Sequence, residues 1–265
     1  MVIAMAVTDF THAIVRRPAR AVVRGLRAGK GPDPSFDGVK SEHAAYCAAL
    51  VNAGLAVTIL PPDERFPDSI FVEDPALVFP EGAILLRPGA PARAGEVAAL
   101  EPALCERFET VLALEDGLAD GGDILATPER VMIGLSARTD KAGAEALMGL
   151  LAKLGRRALI VETPKGVLHF KTDCALLDDE TVLTTRRLSS SGVFKGYREI
   201  IVPEGEEAAA NALRVNKALF VGARFRRTAE RLADAGYDVV PLPVDEIGRI
   251  DAGLSCMSLR WREAN

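Results

Sequence analysis

Two sequence patterns recur along this chain, and together they constrain its fold more than any single motif. In the first, a helix-like stretch ends at Gly, a β-rich run follows and Pro stops it: LVNAGLAVTILP at 50–61, LAKLGRRALIVETP at 151–164 and LADAGYDVVPLP at 232–243. Gly54, Gly155 and Gly236 take the position after a helix, where a left-handed backbone costs Gly little. In the second, an acid or amide precedes a strand, a tight turn, a second strand and Arg. Its copies start at Asp74, Asp123, Asp173 and Asn211 and end at Arg87, Arg138, Arg186 and Arg224. The first three starts are 49 and 50 residues apart and the fourth lies 38 further on. Their turns, Pro80-Glu-Gly, Pro128-Glu-Arg, Asp178-Asp-Glu and Asn216-Lys, carry hairpin residues. Joined, the patterns give a repeating unit of strand, hairpin and helix. THAIVRRPARAVVRGL near the start and SCMSLRW near the end read as two pieces of a fifth unit. Such a unit cannot bury its own apolar face, and several of them ring-closed leave no open sheet edge. The expected fold is one closed α/β domain with radial pseudosymmetry, spanning residues 1–265.

Composition removes several classes. The 265 residues are 49% hydrophobic and 26% charged, enough for a large core and unlike a disordered chain. A formal charge of −5 argues against nucleic acid as a partner. Apolar runs such as 83–86 and 158–161 fall far short of the roughly 20 residues of a membrane span. MVIAMAV lacks a basic region, so no secretory signal is expected. Cys47, Cys105, Cys174 and Cys256 form no CxxC pair, and a chain this size needs no disulfide. Reduced thiols and a cytoplasmic location are expected. The pattern leaves oligomeric state open.

The repeat also indicates where chemistry is to be sought. Equivalent positions after the unit strands are filled by FPDSIFVED, EDGLADGGD, KGVLHFKTD and VDEIGRIDAGLSC. They hold Asp68, Glu73, Asp74, Asp120, His169 and Cys256, and ring closure predicts all six at one central cavity. Cys, His and several carboxylates together supply a nucleophile, a base and groups that bind a cation. Taken singly, each has an ordinary structural reading. A lone Cys is usually a small buried hydrophobe, and Cys47 and Cys105 in helices and Cys174 in a strand are read that way. His12 and His43 are read as structural or surface residues. Asp68, Glu73 and Asp74 are interleaved with Phe66, Ile70, Phe71 and Val72, so their charges need partners. No pair of His, Cys or carboxylate residues has a recognised metal-ligand spacing, and no metal or cofactor is expected. Residues 25–37, GLRAGKGPDPSFD, form the candidate lid.

FPDSIFVEDPAL, RPGAPAR, DGGDIL, GLSARTD, GVLHF and DAGLSCMSL resemble, in this order, the motifs of dimethylarginine dimethylaminohydrolases, within the guanidine-modifying superfamily that includes arginine deiminases and amidinotransferases. The resemblance runs from Thr11 to Trp261 and implies a five-bladed α/β propeller of ββαβ repeats. It implies Cys256 as nucleophile, His169 as general acid and base, and Asp120 as the residue that orients His169. Glu73 and Asp74 would contact the guanidinium or support its binding, and Arg93 and Arg138 would grip the substrate α-carboxylate. Asp68 and the Ile250 carbonyl would hold the α-amine, with Leu26 as a lid residue. The activity implied is hydrolysis of Nω-methylated L-arginine to citrulline and an amine through a covalent Cys-thiouronium, with no cofactor. The alternative is a hydrolase or deiminase acting on arginine or another substituted guanidine by the same Cys/His chemistry. Known deiminases and amidinotransferases are typically much longer than this chain.

Overall fold

The computed structural model describes residues 6–29 and 31–263. In chain order, β1 (His12–Arg16), α1 (Phe36–Asn52) and β2 (Ala56–Leu60) open the fold. The second unit is β3 (Ala76–Phe79), β4 (Gly82–Leu85), α2 (Glu96–Cys105) and β5 (Val111–Ala113). The third is β6 (Ile124–Ala126), β7 (Val131–Leu135), α3 (Lys141–Lys153) and β8 (Ala158–Glu162). The fourth is β9 (Cys174–Leu176), β10 (Thr181–Thr184), α4 (Arg186–Ser189) and β11 (Arg198–Ile201). The fifth is β12 (Leu213–Val215), β13 (Ala218–Gly222), α5 (Arg226–Asp234) and β14 (Asp238–Leu242). A short α6 (Asp245–Gly248) then leads to β15 (Leu259–Trp261).

In units two to five, the first two strands form an antiparallel hairpin and the third lies parallel to the second after a helical crossover. The remaining sheet is assembled from both ends of the chain. β15 pairs antiparallel with β1, His12 opposite Trp261, and β1 pairs parallel with β2. Five three-stranded sheets result, and the fold is the five-bladed α/β propeller. The first strands β3, β6, β9, β12 and β15 surround a cavity of about 390 Å³ on the axis.

Local chemistry explains the crossovers. Ser35 caps α1 by accepting the Gly38 N–H, and Asp140 caps α3 by accepting that of Gly143. Gly54, Gly155 and Gly236 follow α1, α3 and α5 with φ of 95°, 72° and 92°, as expected from sequence. Middle strands β4 and β10 are wholly buried, whereas outer strands β2 and β8 alternate between half-buried and exposed. A sheet wedged edge-first between neighbours requires this gradient. Units two and four break the Gly-capped pattern: α2 ends at Cys105 without a Gly, and α4 has only four residues.

Candidate active site

Each outer strand is followed by a segment that leads back to the first strand of the next blade. Asp68, Glu73 and Asp74 lie in the segment after β2, Asp120 in that after β5, His169 in that after β8 and Cys256 in that after β14. Asp120 is fully buried. Its Oδ2 faces His169 Nε2 at 2.9 Å, and its Oδ1 accepts the Gly89 N–H at 2.7 Å. The other acid of the DGGD turn, Asp123, has a different task. Its oxygens accept the Phe170 N–H and the hydroxyls of Ser136 and Thr139.

Asp74 Oδ1 accepts the Gly122 N–H at 3.0 Å, and its Oδ2 is paired with Arg93. Gly122 has no space for a side chain: a Cβ there would sit 2.7 Å from His169 Nδ1 and 2.9 Å from Asp74 Oδ1. The turn thus brings imidazole and carboxylate together over bare backbone. One ligand atom each from Asp74, Asp120 and His169 falls within 4.8 Å of the others. With Arg93 on Asp74 and His169 on Asp120, the cluster is already matched internally.

Electrostatics divides the site into a proton donor and a dormant thiol. Burial alone would lower the His169 pKa, but Asp74, the Asp120 hydrogen bond and Asp123 outweigh it and raise it to about 8. Burial would raise Asp74, yet Arg93 and His169 hold it down at about 2. Cys256 goes the other way. Burial, then the charges of Glu73 and Asp74, push its thiol up to about 12, and Lys171 offsets this only partly. At neutral pH the resting site therefore holds an imidazolium and a neutral thiol.

Glu73 supports the Cys256 segment. Its Oε1 accepts Lys171 Nζ at 2.6 Å and Arg260 Nη2 at 3.3 Å, and its Oε2 accepts the Ser255 hydroxyl at 2.9 Å. Its backbone N–H donates to the Cys256 carbonyl at 3.2 Å. The axial cavity is lined by Glu73, Lys171 and Ser255 but not by Cys256, His169 or Asp120. One ligand atom each of Asp74, Asp120 and His169 lies within 4.8 Å of the others, and the charges of Glu73 and Asp74 act on Cys256, so these residues gather at one place, with Glu73 also bordering the axial space.

Arg93 is buried and fully paired. Only 4% exposed, it donates through Nε to Glu96, through Nη2 to Glu96 and the carbonyls of Phe71 and Asp68, and through Nη1 to Asp74. It is a buried strut between α2 and the FVED segment. Arg138 is half-buried, with Nη1 3.5 Å from Asp120 Oδ2. Asp68 is buried, and both its oxygens accept the Leu26 N–H, at 3.0 and 3.2 Å. Leu26 is 38% exposed at the start of residues 25–37, and Ile250 lies buried just after α6.

Sequence reasoning missed Glu96, Lys171, Ser255 and Asn211. Glu96 is three residues after Arg93, a pairing distance on a helical turn. Lys171 and Ser255 lie inside quoted motifs, as the cation two residues after His169 and the hydroxyl next to Cys256. Asn211 was visible as the start of a repeat copy but had been given no role.

The sequence and the fold are matched by known proteins. The family model for arginine deiminase matches residues 64–214. The N(G),N(G)-dimethylarginine dimethylaminohydrolase of Pseudomonas aeruginosa is 39% identical over 259 residues, covering 95% of this chain and 100% of that one. This chain belongs to the dimethylarginine dimethylaminohydrolase family. The enzyme of that name from Streptomyces coelicolor is 34% identical, covering 95% of this chain and 97% of its own. Among solved structures, a cysteine-to-serine mutant of the Pseudomonas aeruginosa family member, complexed with citrulline, superposes with a TM-score of 0.92 at 38% identity over 95% of this chain and 99% of that chain. The N-terminal domain of ArgZ, an arginine dihydrolase from cyanobacteria, shares the fold with a TM-score of 0.83 at 19% identity, over 95% of this chain and 98% of that chain. The family is one of hydrolases acting on C–N amidine bonds. No described helix is long and apolar enough to cross a membrane.

Proposed function

We propose that this chain hydrolyses Nω-methylated L-arginine to L-citrulline and methylamine or dimethylamine, with Cys256 as nucleophile. The observation that carries the reading is the opposed protonation of two reactive groups that share Asp74 as a neighbour: a thiol raised to about 12 by burial and then by Glu73 and Asp74, and an imidazole raised to about 8 by Asp74 and its hydrogen bond to Asp120. A planar guanidinium suits paired carboxylates. Bound there, its positive charge offsets Glu73 and Asp74, the charges that keep the thiol protonated. The thiolate then forms where the electrophile waits, and the thiol proton leaves to solvent because His169 already carries one.

The sulfur electron pair forms the S–C bond at the guanidinium carbon. His169 gives its proton to the departing amine as the C–N bond breaks, leaving a covalent thiouronium. Neutral His169 then takes a proton from water as the water oxygen bonds to the same carbon. Collapse expels the sulfur, which takes the remaining hydroxyl proton to restore the thiol, and releases the urea group of citrulline. Asp120 orients His169 and supports its charge throughout. Asp74 binds the guanidinium, and Glu73 supports the Cys256 segment. Arg93 and Arg138 receive the α-carboxylate. Asp68, the Ile250 carbonyl and Leu26 hold the α-amine end.

The same reading treats residues 1–265 as one catalytic domain and places the reaction in the cytoplasm, supported by four free cysteines. The test is citrulline release from asymmetric dimethylarginine, Nω-monomethylarginine and arginine. Turnover of both methylated substrates is expected. Turnover of arginine alone would overturn the substrate assignment and leave a deiminase.

A further inference from the structure

The residue that starts each repeat copy, read from sequence only as an acid or amide before a strand, makes a recurrent contact. Asp74 Oδ1 accepts the Gly122 N–H at 3.0 Å. Asp123 Oδ1 accepts the Phe170 N–H at 2.8 Å. Asn211 Oδ1 accepts the Ser255 N–H at 3.0 Å. In all three, the donor belongs to the segment after that blade's own outer strand. The donors lie two residues after Asp120, one after His169 and one before Cys256. The third copy is the exception. Asp173 turns inward to the Thr185 hydroxyl and Arg187 of its own blade, and the segment after its outer strand carries none of these three groups.

We infer that Asp123 and Asn211 are positioning residues, each fixing one catalytic group from the start of the preceding blade: Asp123 sets His169 and Asn211 sets Cys256. Asp74 makes the same contact toward Asp120 while also facing the guanidinium. Burial argues against an incidental contact, since a buried N–H left without a partner is destabilising. The fit is also close. A Cβ on Gly253 would lie 2.4 Å from Asn211 Oδ1, so the Cys256 segment passes too near for any side chain. Asn211 Nδ2 adds bonds to the Lys171 carbonyl and the Ser255 hydroxyl, at 2.9 and 3.1 Å. It thereby ties the segment after β8 to that of Cys256. An acid and an amide occupy equivalent places with opposite electrostatic results: Asp123 adds a negative charge near His169, whereas Asn211 clamps the thiol segment without adding one.

This assignment rests on the proposed hydrolysis, but its test does not need turnover. The charges facing His169 are Asp74, Asp120 and Asp123, with Arg138 behind Asp120; those facing Cys256 are Glu73, Asp74 and Lys171. Two readouts on the full chain separate the clamps: the rate of Cys256 alkylation by iodoacetamide against pH, and the His169 ring titration by NMR. Asp123→Asn is expected to move the His169 titration down from about 8 toward 6.5 and leave Cys256 alkylation within about twofold. Asn211→Ala is expected to speed alkylation by about fivefold or more by freeing the segment, with His169 still titrating near 8. Asn211→Ser, with an oxygen too short to span the contact, shows the same change should the alanine variant not fold. If each variant shifts both readouts alike, or neither, the blade-by-blade assignment is overturned. If wild type releases no citrulline while the two readouts still separate, the hydrolase reading fails and the clamps stand.

Discussion

The two ends of the proposed substrate site are built differently. Around the reacting carbon, Asp74, Asp120 and His169 are each less than a tenth exposed and held by at least one charged or backbone partner. Arg93 and Glu96 lock that end from behind. At the amino-acid end, Arg138 is half-buried with one carboxylate 3.5 Å away, and the partner of Asp68 is the backbone of exposed Leu26. Charge must be placed before the reaction where bonds change, since reorganisation during the step would cost rate. The head group needs only to be gripped, so that end can be assembled around its ligand. The first end is expected to govern kcat and the second KM.

The largest break in this contrast is at the nucleophile. Cys256→Ser is expected to reduce citrulline formation by about 10⁴-fold or more while still binding substrate, read by calorimetry. Full residual turnover would remove the covalent step. Asp120→Asn is next, with kcat down by about 100-fold. The alkaline limb of its rate profile should also move below the wild-type position near pH 8, because His169 loses a carboxylate that keeps it protonated. Arg138→Ala tests the other end. KM for methylarginine should rise about 30-fold with kcat little changed, and far less for an analogue lacking the α-carboxylate. Equal effects on both ligands would take Arg138 out of the head-group grip.

The smallest effect is on stability. The folded His169 pKa of about 8 lies above its ordinary 6.5, so its charge adds stability that is complete below pH 6.5 and lost as pH rises through 8. The loss is on the order of 2 kcal/mol. Thermal melts of wild type should decline across that window, and those of Asp120→Asn should be flatter. A wild-type melt unchanged between pH 6.5 and 8.5 would contradict the raised imidazole.

The fold was legible wherever the repeat carried local chemistry. Gly54, Gly155 and Gly236 marked three crossovers because a left-handed residue after a helix selects Gly in any context. The blade containing α4 shows the limit: its four-residue helix has no periodicity to read, and only its hairpin gave it away. For the site, the positions of Asp120, His169 and Cys256 were legible in the repeat, and their roles in the family motifs that contain them. Glu96, Lys171 and Asn211 were passed over because their roles depend on what the chain returns beside them. Lys171 and Glu73 are 98 residues apart, and Asn211 and Ser255 are 44 apart. Arg93 shows the converse case, a residue whose motif implied a substrate contact but whose burial and pairing with Asp74 and Glu96 only the structure displays.

The first blade takes its inner strand from the end of the chain and its other two strands from the beginning. Cys256 stands three residues before β15, which pairs with β1 at a separation of 245 to 249 residues. Loop closure on this scale is a large entropic cost of completing the blade. In the proposed mechanism the sulfur therefore lies beside the seam that joins the two ends of the chain. A chain in which β15 has left β1 opens an edge of that blade, and the Cys256 segment loses the anchor three residues downstream.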